Sequence, residues 1–215
     1  MAKQENHILD LEKLNIEKVS KELFMSYSEY VEYLLEKYGC SAYDYFRTPT
    51  CKSKNPKISR VVEEGLYCHH IDEDKAIMLS YPEVAQLYPF SYQQADRLVY
   101  CNILEHLLLH IKIAEERTDI TSEVGMGGVA LITEEINAHI QRGHSAGWRK
   151  NTMKIIDENY AEYIYTLVYL RQFLKSDLLY KEHPLFQDKF LCFTGKDFCK
   201  KIWNDVQCMI KELKI

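Results

Sequence analysis

The sequence predicts an α+β fold, mostly helical, with two short strands and a helix at its centre. Three observations predict it. Apolar side chains recur at helical spacing over several stretches, opened or closed by capping residues. Two short runs, at 66–71 and 98–101, lack that period and read as strands. The second run leads straight into a helical stretch, 103–116, that carries two histidines.

Ser26-Tyr27-Ser28-Glu29 has capping-box spacing, and Tyr27, Tyr30, Val31, Leu34, Leu35 and Tyr38 follow at helical intervals. Gly39 is placed to end that helix, and a looser helical segment precedes it. Over 46–60 the chain holds Arg47, Lys52, Lys54, Lys57 and Arg60, interrupted by Pro49 and Pro56, with no acidic residue. That is a basic loop, read either as a solvated linker or as a phosphate-contacting segment. The first strand carries His69 and His70, and Asp72, Glu73 and Asp74 then open a long connection. An acidic cluster of this kind reads as a solvated loop rather than as a second metal site. Tyr81-Pro82 and Tyr88-Pro89 keep residues 76–94 irregular, with a short helix between them.

Asn102 and Glu105 have N-cap and N3 spacing, so the helix starts at Ile103 and runs to about Glu116. Gly125, Gly127 and Gly128 read as a flexible turn; no Gly-Lys-Ser/Thr follows, so it is not a phosphate loop. A short helix at 133–142 precedes a second basic stretch with Arg142, His144, Trp148, Arg149 and Lys150. Tyr160, Tyr163, Ile164, Leu167, Val168 and Leu174 mark another amphipathic helix. Thr194 and Asp197 cap a last one, with Phe198, Ile202, Trp203, Val206, Met209 and Leu213 inward.

Composition narrows the function classes. Of 215 residues, 47% are hydrophobic, enough for a real interior. The net charge of −5 runs against a nonspecific nucleic-acid binder, so any such role rests on local basic patches and a bound cation. The seven cysteines are odd in number, scattered and without a C-x-x-C pair, which fits a reducing cytoplasm. The first fifteen residues have no apolar signal-peptide core, and no apolar run has membrane-spanning length.

The chemistry-bearing pattern is the pair His106 and His110 together with the doublet His69-His70. Residues i and i+4 share one helix face, so both imidazoles can reach a single metal ion, and His69 can supply a third nitrogen. His70 then stands beside the ion as a free imidazole, the side chain best suited to proton transfer near neutral pH. Three ligands and an adjacent base point to metal-assisted hydrolysis. An isolated histidine pair on an apolar helix would read first as partly buried packing; the doublet, the strand before the helix and its capping box turn the reading toward a metal. A zinc protease is excluded because Leu107 stands where His-Glu-x-x-His needs its glutamate. A mixed Cys/His structural zinc site using Cys68 and Cys101 is disfavoured, since strand alternation turns Cys68 away from His69.

The order strand with His-His, strand Leu98-Val99-Tyr100, then Glu105-His106 through His110 resembles the HNH nuclease family, including the layout of colicin DNases. The resemblance covers about a quarter of the chain. It implies a ββα-metal core at 60–117, flanked by an N-terminal helical arm and basic loop at 1–59 and a C-terminal helical region at 118–215. It further implies an endonuclease that hydrolyses DNA, with RNA also open, in phage, restriction or defence biology. His69, His106 and His110 would hold one divalent ion (Mg²⁺, Mn²⁺, Ni²⁺ or Zn²⁺) and His70 would be the general base. Arg47, Lys52, Lys54, Lys57, Arg60, Arg149 and Lys150 are then the candidate nucleic-acid contacts, and double-strand cleavage would call for a homodimer. The family's central Asn is missing: Arg97 stands in its place, with Asp96 beside it. Asp96 is expected to orient His70 and Arg97 to contact phosphate. The alternative is a degenerate site, a noncatalytic metal-stabilised module acting as a protein inhibitor or nucleic-acid adaptor.

Overall fold

The computed structural model describes residues 7–116, 125–142, 147–176 and 196–214. The fold is α+β and mostly helical. Helices α1 (Ile16–Phe24) and α2 (Tyr27–Tyr38) come first, then α3 (Val61–Glu64), β1 (Tyr67–His70), α4 (Pro82–Ala85), β2 (Leu98–Cys101) and α5 (Ile103–Glu116). Helices α6 (Met126–Arg142), α7 (Lys150–Glu158), α8 (Tyr160–Ser176) and α9 (Lys196–Leu213) follow. No described helix is long and apolar enough to cross a membrane.

The local signals act as the sequence predicts. Ser26 and Glu29 close a reciprocal capping box on α2, and Gly39 follows its last turn at φ +76°. Asn102 Oδ1 accepts from the Leu104 and Glu105 amides (2.9 and 3.0 Å), while Glu105 Oε2 accepts from the Asn102 amide at 2.7 Å. This second box fixes where α5 leaves β2, and so fixes the heights of His106 and His110. The strands pair antiparallel with His69 opposite Val99 and His70 opposite Leu98.

Two cores flank the hairpin. The larger joins Tyr30 and Leu34 of α2, Leu107, Leu109 and Ile111 of α5, and buried residues of α6 to α9 such as Ile136, Ile156, Ile164 and Val206. Arms and centre therefore share one interior. Lys112, on the same helix, is 2% exposed and donates to the Leu23 carbonyl at 3.0 Å, tying α5 to the end of α1. The smaller core holds Tyr45, Phe46, Cys51, Ile58, Ala85 and Leu98. The basic loop is thus anchored by its own apolar residues, with Arg47, Lys52, Lys54 and Lys57 exposed above them.

One expectation changes here. Gly127 and Gly128 do not form a turn; they lie inside the first turn of α6, and Gly125 alone of the three has a positive φ, +87°. Helix α6 consequently begins earlier than 133. The Thr194 cap and the Leu174 and Phe198 side chains lie outside the described residues.

Candidate metal centre

Strand β1 and helix α5 bring three imidazoles together. The ring centroids of His69, His106 and His110 lie 4.9–5.2 Å apart, and one nitrogen of each falls within 4.8 Å of the others. No cysteine among the described residues takes part in this group.

A neighbouring hydrogen bond sets the tautomer of His69. The Tyr27 hydroxyl donates to the Ile71 carbonyl at 2.9 Å, so its oxygen accepts from His69 Nε2–H at 3.1 Å. His69 Nδ1 is then a bare lone pair, buried and without a protein partner. A hydrogen bond of this kind behind a ligating histidine orients the ring and selects its tautomer. Tyr67 supports His106 by stacking, centroids 5.3 Å apart. His110 turns its buried Nδ1 edge toward α6, where Gly128 makes room: a Cβ there would lie 2.2 Å from that nitrogen. Burial drives the imidazole pKa values down, well below normal for His69 and His106 and to about 4 for His110. The rings are accordingly neutral at pH 7, the form a metal requires.

Glu73 lies beside two of the three imidazoles. Its Oε2 lies 3.6 Å from His69 Nδ1 and 3.5 Å from His110 Nε2. Donors about 2.0–2.1 Å from a tetrahedral ion stand about 3.3 Å apart, so these spacings suit one cation with little rearrangement. Burial raises the Glu73 carboxyl to about 7. The three imidazole nitrogens, with the Glu73 carboxylate beside two of them, therefore fit a divalent ion.

His70 occupies the other side of the hairpin, 1% exposed, its ring 4.2 Å from Tyr45. Its Nε2 meets Gln93 Oε1 at 2.8 Å, and Gln93 Nε2 donates to the Leu79 carbonyl at 3.2 Å. The Leu79 carbonyl fixes the amide's orientation, so His70 must donate from Nε2 and keep Nδ1 as the free base. That Nδ1 lies 4.0 Å from Glu73 Oε1. Desolvation lowers the His70 pKa to about 4. A cavity of about 170 Å³ opens onto His69, His70, Glu73 and His106, with Tyr45 and Lys54 on its wall.

Two assignments change. Asp96 is exposed, and Gln93 holds His70 instead. Gln93 arrives from the far end of the 76–94 insertion, which therefore packs back onto the hairpin. Arg97 is not free for phosphate: it clamps the 1% exposed Asp72 through Nε–Oδ2 (2.7 Å) and Nη2–Oδ1 (2.6 Å). That bidentate pair anchors the turn Ile71–Asp74 to the start of β2 and aims Glu73 at the histidines. The acidic cluster is thus an internal structural element, not a solvated loop. Sequence reasoning missed Glu73 and Gln93; the one available signal was an acidic residue four places after His69, where a turn returns it to the strand end.

The basic residues divide. Arg47, Lys52, Lys54, Lys57 and Lys150 are solvent-facing. Of these, Lys54 borders the cavity and lies 4.5 Å over the Tyr45 ring. Arg60 is engaged by Glu64 (Nε–Oε1 2.6 Å) and by the Tyr38 carbonyl, and Arg149 pairs with Glu135 at 3.3 Å. Trp148 is 52% exposed with the Arg149 guanidinium over its ring.

Comparison of the chain with protein-family models, with curated proteins and with solved structures finds no match.

Proposed function

We propose that this chain is a metal-dependent endonuclease hydrolysing DNA phosphodiester bonds, with His69, His106, His110 and Glu73 around one divalent ion and His70 as general base. One observation carries the reading: His70, whose tautomer Gln93 fixes with Nδ1 left bare, lines the same cavity as His69 and His106 of the three-histidine cluster. When bound, Mg²⁺, Mn²⁺, Ni²⁺ or Zn²⁺ supplies Lewis-acid stabilisation of phosphate charge and of the leaving 3′ oxygen. His70 Nδ1 takes the proton of the attacking water, while its Nε2–H stays on Gln93 as the ring becomes cationic. A phosphate seated in the cavity raises the basicity of His70, since a nearby anion favours the imidazolium. Lys54 at the rim supplies positive charge to the same phosphate. RNA offers the same bond, so it belongs in the assay.

The test is cleavage of plasmid DNA and of RNA with each ion or with EDTA, beside His70→Ala. Expected is metal-dependent nicking or linearisation that His70→Ala lacks while retaining its metal. Wild-type cleavage rates in His70→Ala would overturn the base assignment.

A second reading has its own observation. Glu73 stands beside His69 and His110, and a shift of its carboxylate onto the ion would give four protein ligands, the hallmark of a structural ion. The chain would then be a noncatalytic metal-stabilised module. Chelation separates the two: a protein that stays folded but stops cleaving is the enzyme, whereas one that unfolds and never cleaves is the module.

A further inference from the structure

A second histidine cluster lies apart from the first. His7 Nε2 and His139 Nε2 converge on the same Asp157 oxygen, Oδ1, at 2.8 and 2.7 Å. The three residues come from the segment before α1, from α6 and from α7. The imidazoles are more than nine-tenths buried, 7% and 5% exposed, while the carboxylate is 45% exposed. One ligand atom from each lies within 4.8 Å of the others.

The surroundings favour a cation. An open cleft of about 590 Å³ borders His7 and Asp157, giving an ion access and room for water ligands. Asp10, Glu12 and Lys13 line the same cleft. In the metal-free form the Asp157 carboxylate accepts from both Nε2–H groups, while His7 Nδ1 and His139 Nδ1 are buried with no hydrogen-bond partner among the described residues. Each ring can therefore move its proton to Nδ1 and present Nε2 as a lone pair. Metal ligands around a tetrahedral ion stand about 3.3 Å apart, so the cluster needs to widen by about half an ångström.

We infer that His7, His139 and Asp157 form a second divalent-cation site, which fastens the chain segment before α1 onto α6 and α7. Two imidazoles and a carboxylate suit Zn²⁺, with water completing the shell. In the metal-free form the same atoms are held by hydrogen bonds from both rings to Asp157. The role is structural: the cavity beside His70 is lined by other residues.

The test is metal stoichiometry on the full chain, stripped by chelation and titrated with Zn²⁺, with Co²⁺ absorption as a second readout. Wild type should bind two ions. His106→Ala/His110→Ala should retain one, and added Zn²⁺ should still raise its Tm. Adding Asp157→Asn, close in shape, or His7→Ala, at the edge of the fold, should abolish that last ion and the Tm rise. The pair in the His106→Ala/His110→Ala background makes the outcome independent of the first centre. Failure of that background to bind Zn²⁺, or binding unchanged by both Asp157→Asn and His7→Ala, overturns the site and leaves a hydrogen-bonded cluster.

Discussion

Gly128→Ala tests the metal centre from outside it. The added Cβ would meet His110 Nδ1 at 2.2 Å and Cε1 and Cγ at 2.4 Å. Ordinary contact needs about 3.5 Å, so ring and methyl must part by more than 1 Å. His110 is fixed to α5 between the Leu107–Leu109 core and Ile111, all buried, and the ring has to swing rather than the helix shift. Metal–ligand distances tolerate only about 0.2 Å. Removing His110 from a shell of this kind should weaken Zn²⁺ or Ni²⁺ binding by about 100-fold or more, about 2.7 kcal/mol. Stability moves less, because the gain in helix propensity of up to about 1 kcal/mol offsets part of an overpacking cost of about 1–3 kcal/mol. The control is Gly127→Ala, whose Cβ meets nothing within 4 Å; it should bind metal as wild type and melt at the same temperature or slightly higher. Calorimetric titration of both variants with Zn²⁺ reads the difference. Equal affinities would refute the argument that His110 is a ligand held in place by the space at Gly128.

Three further outcomes follow from the supporting hydrogen bonds. Tyr27→Phe removes the acceptor behind His69 and should weaken metal binding about 10- to 100-fold, with unchanged affinity showing that His69 needs no such support. Gln93→Ala frees the His70 ring; cleavage should fall about 10-fold or more, as for a misplaced general base, while metal affinity measured by titration stays put. Arg97→Ala leaves buried Asp72 with Lys75 alone, at 2.7 Å, and should lower stability in urea by about 1–3 kcal/mol, less than for a fully buried pair because the guanidinium is part-exposed. A phosphate-contacting Arg97 would behave differently: stability would hold and the salt dependence of DNA binding would become shallower.

What the sequence made legible was whatever short-range chemistry decides. The boxes at Ser26/Glu29 and Asn102/Glu105 are local hydrogen-bond patterns, and both helices start where those residues place them. The i, i+4 pair and the strand doublet likewise imply a shared site through backbone geometry alone. The illegible part depends on long-range closure. Gln93 reaches His70 across twenty-three positions because its amide also finds the Leu79 carbonyl, a pairing that no spacing announces. Asp72 and Glu73 read as solvent-facing because charged runs usually are. Arg97, twenty-five positions on, overrides that tendency by satisfying both oxygens of Asp72, which makes burial of the turn affordable and leaves Glu73 facing the imidazoles. The same pairing gives Arg97 a structural task that a shorter, uncharged asparagine would not perform. With Gln93 supplying the amide oxygen for His70 from the insertion, the start of β2 is free to carry the clamp that positions Glu73. An Arg97→Asn variant therefore should not restore a better base; it should loosen Glu73 and weaken metal binding, and tighter binding or faster cleavage in that variant would break this account.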